Sequence, residues 1–174
     1  MPDIERHPHG VTGEHTRRGV PHGVTSLTPY LGVDDVMGAV DFYEQVFHAR
    51  TIELTQMGAT VVHAHLDLGN GHLHVEKANA ESGLSGPSAD GTASFSLSFY
   101  CEDVAAVLDR ARAAGGRVLS PLTEFASGDL FVGIMDPHGV RWSITTRIRD
   151  LSEAASAGRI HAWAAELSRG SARA

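Results

Sequence analysis

The stretch Leu31-Gly32-Val33-Asp34-Asp35-Val36 returns in pattern as Phe99-Tyr100-Cys101-Glu102-Asp103-Val104. The offset, 68 residues (35 to 103), also carries Val40-Asp41 onto Leu108-Asp109 and Gly69-Asn70-Gly71 onto Pro137-His138-Gly139. In each copy a short apolar run ends at an aspartate, and apolar residues at helical spacing follow. They are Val36, Val40, Tyr43 and Phe47 in the first copy, and Val104, Val107, Leu108 and Ala111 in the second. An aspartate at that point can accept from the free N–H groups of a first helical turn, so both copies read as strand, cap, helix. A constant period across unlike segments marks one supersecondary unit used twice. Two such units can enclose a cleft, and clefts between modules are where small molecules usually bind.

Outward from these stretches, the first copy predicts strands over residues 26–33, 50–56, 59–68 and 72–77. The second predicts strands over 94–101, 117–119, 130–135 and 140–146, its helix ending at Gly115-Gly116. The expected fold is α+β: two tandem βαβββ modules, 24–77 and 94–147, in one domain spanning 24–150. The linker 78–93 is small, polar and punctuated by Gly and Pro. Residues 1–23 read as a polar extension without apolar periodicity. In 151–174, Leu151, Ala155, Ile160, Trp163 and Leu167 suggest a helix that packs on its own domain or contacts a second copy.

Bulk composition narrows the classes. Of 174 residues 42% are hydrophobic, yet no apolar run approaches the roughly 20 residues of a membrane span. The N-terminus lacks the apolar core of a secretion signal. A single cysteine, Cys101, excludes an intramolecular disulfide and fits a reducing cytoplasm. The net charge of −7, with no Lys/Arg cluster, argues against nucleic-acid and anionic-membrane partners.

Order and landmarks together resemble a known family. They are Pro21-x-Gly23, Leu27-Thr28-Pro29-Tyr30-Leu31-x-Val33, Ala39-x-Asp41-Phe42-Tyr43 and His63-Ala64-x-Leu66, then Phe99 to Val104, Ala113-Ala114-Gly115-Gly116 and Asp136-Pro137-x-Gly139-x-x-Trp142-Ser143. Over about residues 21–150 this is similar to the vicinal oxygen chelate superfamily of glyoxalases, bleomycin-resistance proteins and extradiol dioxygenases, in its small glyoxalase-like branch. Some of that branch carry a demethylubiquinone methyltransferase label, but no Gly-rich turn after a strand is present here to hold a methyl donor. The resemblance implies curled sheets forming a cup that often holds a divalent metal, with one ligand from the first and one from the last strand of each module. Those positions match Thr28, Ser96 and Ser143, with His74 or Glu76 for the fourth. Neutral hydroxyls are poor ligands for Zn, Ni, Fe or Mn, so no cofactor is expected, with one divalent ion as the alternative. A homodimer is expected, since relatives of this size pair their modules about a twofold and sheet edges need cover.

Histidine is the unusual count: there are 11, and four fall within residues 63–74. Alternation puts His63, His65, Asp67, His72, His74 and Glu76 on one face of a hairpin, and Val62, Ala64, Leu66, Leu68, Leu73 and Val75 on the other. A type I′ turn at Asn70-Gly71 would set His65 opposite Glu76 and Asp67 opposite His74. The polar face reads as solvated, as a ligand-reading surface, or as a relocated metal site of His65, His74 and Glu76. The same parity aims Thr28, Tyr30, Ser96, Ser98, Tyr100, Arg141 and Ser143 at the cleft, facing His63, His65 and His74, and assigns Cys101 and Trp142 to the core.

Three functions follow. The first is a small-molecule-binding protein that sequesters or processes an organic ligand between the modules, as bleomycin-resistance members do. The second is a metal-dependent lyase, isomerase or dioxygenase. The third is metal-free acid–base chemistry by His65 and Glu76.

Overall fold

Asp35 and Asp103 both act as helix caps. The Asp35 side chain accepts from Gly38 N at 3.0 Å, and Asp103 accepts from Ala105 N and Ala106 N at 2.9 and 3.0 Å. The computed structural model describes residues 10–88 and 90–171. In chain order its elements are β1 (Thr16–Arg17), β2 (Val20–Pro21), β3 (Tyr30–Val33), α1 (Val36–Phe47), β4 (Arg50–Met57), β5 (Thr60–Asp67) and β6 (His72–Lys77). There follow β7 (Leu97–Tyr100), α2 (Val104–Ala113), β8 (Arg117–Glu124), β9 (Asp129–Met135), β10 (Arg141–Arg147) and α3 (Glu153–Ser171).

The two modules have one topology. The sheets run β3-β6-β5-β4 and β7-β10-β9-β8, with the first and last strand of each module paired in parallel and the rest antiparallel. This is the α+β arrangement of two βαβββ units expected from the internal repeat. Helices α1 and α2 each cover the apolar face of their own module's sheet, and the modules share one core. Phe47 of α1 packs on Trp142 and Phe99 with ring centroids 4.5 and 4.8 Å apart. Tyr43 sits edge-on to Trp142 at 5.3 Å.

A buried carboxylate pins this junction. Asp136 accepts from Tyr43 OH (2.8 Å), Trp142 Nε1 (3.0 Å) and the backbone N–H groups of His138 and Val140 (both 2.9 Å). Burial, then the Asp136 charge, pushes the Tyr43 phenol well above its ordinary range. The Asp-Pro-x-Gly turn therefore ties module one to module two through hydrogen bonds.

Several boundaries differ from expectation. Both first strands are shorter than expected, β7 beginning only at Leu97; in β3 Pro29 has no N–H to give a ladder and Thr28 Oγ1 turns back to Thr25 O (3.1 Å). Thr28 and Ser96 thus precede β3 and β7. β8 continues through Pro121 to Glu124, shrinking the loop expected over 120–129 to a turn at 125–128; proline is tolerated there because β8 is an edge strand with irregular pairing. Within the expected extension, β1 and β2 form a small ribbon turned by Arg18 and Gly19, both at positive φ; residues 1–9 lie outside the described residues. No described helix is long and apolar enough to cross a membrane.

Candidate functional site

The hairpin's faces are as alternation predicts, but its register is not. Ala64, Leu66, Leu73 and Val75 are buried, while the histidines lie half-buried on the other side. His63 stands opposite Glu76, His65 opposite His74 and Asp67 opposite His72. A type I′ turn needs positive φ at Asn70 and Gly71. Instead Gly69 takes φ 91°, its N–H donates to Asp67 Oδ1 (2.8 Å), and Leu68 N donates to Gly71 O (2.8 Å). The loop is four residues, and the resulting shift of two preserves parity while changing every partner.

That register builds a ladder of rings. His63 Nε2 and His74 Nδ1 are 2.9 Å apart, and His65 Nε2 and His72 Nδ1 are 2.8 Å apart. Each pair needs one nitrogen donating and one accepting. The rings of His65 and His74 stack at 4.3 Å, and Tyr30 stacks over His74 at 5.1 Å and His63 at 5.7 Å. The Tyr30 hydroxyl donates to Glu76 Oε2 at 2.6 Å. Burial, followed by the neighbouring imidazoles, lowers the pKa of His65 and His74 below the usual 6.5. Burial and Glu76 push Tyr30 up to about 12.

This geometry does not assemble the metal set His65, His74 and Glu76. Glu76 is engaged by Tyr30 and faces His63. Among the described residues no group of three His, Cys, Asp or Glu side chains is placed to hold a metal ion. The family positions Thr28, Ser96 and Ser143 offer only hydroxyls, and two of them are already bonded, Thr28 to Thr25 O and Ser96 to Arg141 O (3.4 Å). The residues do not fit the ion. His65 and Glu76 are not brought together as an acid–base pair either.

The polar face of module two centres on Asp129. Its carboxylate accepts from Ser127 Oγ (2.6 Å) and from Arg147 through both Nε and an Nη (3.3 Å for the latter), with Tyr100 OH at the long distance of 3.5 Å. Burial acts to raise its pKa, but these donors outweigh burial and hold it below the ordinary 3.8. A cavity of about 360 Å³ opens there, lined by Ser98, Tyr100, Phe125, Ser127, Asp129, Phe131, Ser143 and Thr145.

A second cavity, about 370 Å³, lies at the seam between the modules. Thr25, Leu27, Pro29 and residues 68 and 70–73 line it from module one, and Leu97, Ser98, Phe99, Tyr100 and Trp142 from module two. Ser98 and Tyr100 therefore belong to both cavities. A third, about 590 Å³, joins Tyr30 to Arg141 beside the linker. Both cavities that share β7 fall in the size range of small-ligand sites, roughly 300–1,000 Å³.

Of the expected cleft residues, Ser98, Tyr100 and Ser143 come together, Tyr30 meets Arg141, and His63, His65, His74 and Glu76 line none of these three cavities. Module one instead meets β7 through His72, which parity placed on the polar face but which was not singled out. Asp129, Ser127 and Phe125 were missed because they fell in the expected loop over 120–129. Alternation carried back from residues 130–135 would have put Asp129 on the face of Phe131.

Residues 21–144 match the model of the Glyoxalase/Bleomycin resistance protein/Dioxygenase superfamily. The chain belongs to that superfamily. It is 29% identical over 134 residues to an uncharacterized protein of Mycobacterium tuberculosis, covering 73% of this chain and 77% of the relative. The crystal structure of TioX from Micromonospora sp. ML1 superposes with a TM-score of 0.59 at 26% identity, over 71% of this chain and 98% of that one. The fosfomycin resistance protein FosX from Listeria monocytogenes, solved with Mn(II) and 1S,2S-dihydroxypropylphosphonic acid, shares the fold at 13% identity and a TM-score of 0.54, over 70% of this chain and 88% of its own. The superfamily match ends before α3.

Proposed function

We propose that the protein binds a small organic molecule in the cleft along β7, sequestering or processing it in the manner of the glyoxalase/bleomycin-resistance group. One observation carries this reading: Ser98 and Tyr100 line both the seam cavity, together with His72, and the module-two cavity, together with Asp129. Hydroxyls, an aromatic wall of Phe125 and Phe131 and one held carboxylate are the few convergent polar groups on an apolar frame that such sites need. Asp129 and Arg147 neutralise each other, so the module-two end favours a neutral ligand with hydrogen-bonding edges. The metal-dependent reading loses support because no competent donor set converges among the described residues.

Screening small molecules for an increase in melting temperature tests this. A ligand at 100 times its Kd stabilises by about 2.7 kcal/mol. Tyr100→Ala should abolish that gain while changing unliganded stability by less than about 1 kcal/mol, as Tyr100 is 58% exposed. Stabilisation that survives Tyr100→Ala and Asp129→Asn alike would place the ligand elsewhere.

A further inference from the structure

The seam cavity has a chemistry of its own. Its walls are largely apolar, among them Leu27, Leu73, Leu97, Phe99 and Trp142, and the ionisable groups lining it are His72 and Tyr100. His72 is held from behind, since its Nδ1 lies 2.8 Å from His65 Nε2. We infer that this cavity takes a compact, mostly apolar molecule bearing one weakly acidic hydroxyl, a phenol or an enol, whose proton is shared with His72. The inference rests on the β7 cleft being the ligand site.

The proton sharing requires one tautomer of the pair. Burial, then the imidazoles of His72 and His63, lowers the pKa of His65. The tautomer required is the one in which neutral His65 accepts at Nε2 from His72 Nδ1–H, which leaves His72 Nε2 with its lone pair for a ligand hydroxyl. When the proton moves from the ligand oxygen to Nε2, the new imidazolium still donates Nδ1–H to His65, and no other bond forms or breaks. The charges around His72 favour one such transfer. Asp67 stands directly opposite on β5 and supports the cation, although Arg50 on β4 binds Asp67 at 2.8 Å and offsets part of that. Glu53 on β4 supports a positive charge on His65, while His63 on β5 opposes one there, and His74 on β6 is itself opposed by His65, His63 and His72. Across the cavity β7 brings Tyr100. Among the described residues no fixed cation lines this cavity to match a ligand carboxylate, and no carboxylate lines it to match an amine. An aliphatic alcohol is too weak an acid to share its proton with imidazole.

4-Nitrophenol is a direct probe, because it ionises near neutral pH and its phenolate absorbs visible light. An apolar cavity alone raises a phenol's pKa, whereas proton sharing with His72 lowers it, so the sign decides. With protein in excess, the pKa of the bound probe is expected to fall by about one unit, a tenfold rise in its ionisation constant. His72→Gln should reverse the shift. His65→Ala, which keeps His72 but removes its acceptor, should reduce it, and His161→Gln on the exposed α3 should leave it intact. An unchanged or raised pKa, a lowered pKa that persists in His72→Gln, or no binding of the probe overturns the inference. If 4-nitrophenol raises the melting temperature without the colour change, the cleft remains a ligand site and only the proton sharing fails.

Discussion

At the residue scale, burial and crowding set the chemistry of the imidazole row. His65 and His74 have folded-state pKa values below the 6.5 of a free histidine, with burial the largest cause. The unfolded chain therefore binds protons that the folded chain refuses as pH falls through 6.5. Stability from this source is fully present above 6.5 and is lost between that pH and the lower folded values. Melting temperature should drop between pH 7.5 and 5.5, and the His65→Ala/His74→Ala double variant should flatten that slope. A slope identical to wild type would show that other groups carry it. Asp129 acts in a separate window, its depressed pKa adding stability that is lost only below about pH 4. Asp136 works differently, by satisfying buried donors. Asp136→Ala strands Tyr43 OH and the Trp142 indole N–H and should cost about 3–5 kcal/mol in urea unfolding. A loss under 1 kcal/mol would mean that water replaces the carboxylate.

At the element scale, the β5–β6 hairpin shows how local signals divide. Alternation correctly separated Leu66 and Leu73 from His65 and His72, because period-2 geometry is a property of any extended strand. The turn was misread, because Asn-Gly is a strong local preference that the protein does not use; Gly69 takes the left-handed conformation instead. Gly69→Ala should therefore cost about 1–2 kcal/mol, while Gly71→Ala, whose added Cβ meets open space at ordinary φ, should be close to neutral. The reverse order would restore the two-residue turn. α3 holds another local element in place. Ser156 Oγ donates to Ser127 O (3.0 Å), Arg159 Nε donates to Ala126 O (2.7 Å), and Trp163 packs edge-on to Phe125 at 4.9 Å. The helix thereby fixes the 125–128 turn that contributes Phe125 and Ser127 to the module-two cavity.

At the scale of the whole molecule, the open question is what covers β4. It is an edge strand with Ile52, Leu54 and Met57 at 41%, 40% and 71% exposure, an arrangement that invites association. We propose a homodimer using this edge. Light scattering at micromolar concentration should give about twice 18.5 kDa, and Leu54→Lys/Met57→Lys should return the mass to that of one chain. A monomeric wild type sinks the proposal.

The sequence by itself determined what depends on near neighbours. The 68-residue repeat, the Asp35 and Asp103 caps, the buried and exposed faces of β5 and β6 and the core place of Trp142 all follow from helical or strand periodicity and short-range hydrogen bonding. Only the tertiary structure decided which polar groups share a cavity. Facing depends on how α1 packs against Trp142 and Phe99, on a register set by one glycine's φ, and on a proline tolerated in an edge strand. Those choices bring His72 to the seam beside Ser98 and Tyr100 and bring Asp129 under Tyr100 from a segment expected to be loop. They leave His63 bonded to His74 and His65 bonded to His72, each a diagonal pair across the β5–β6 ladder that the observed register creates.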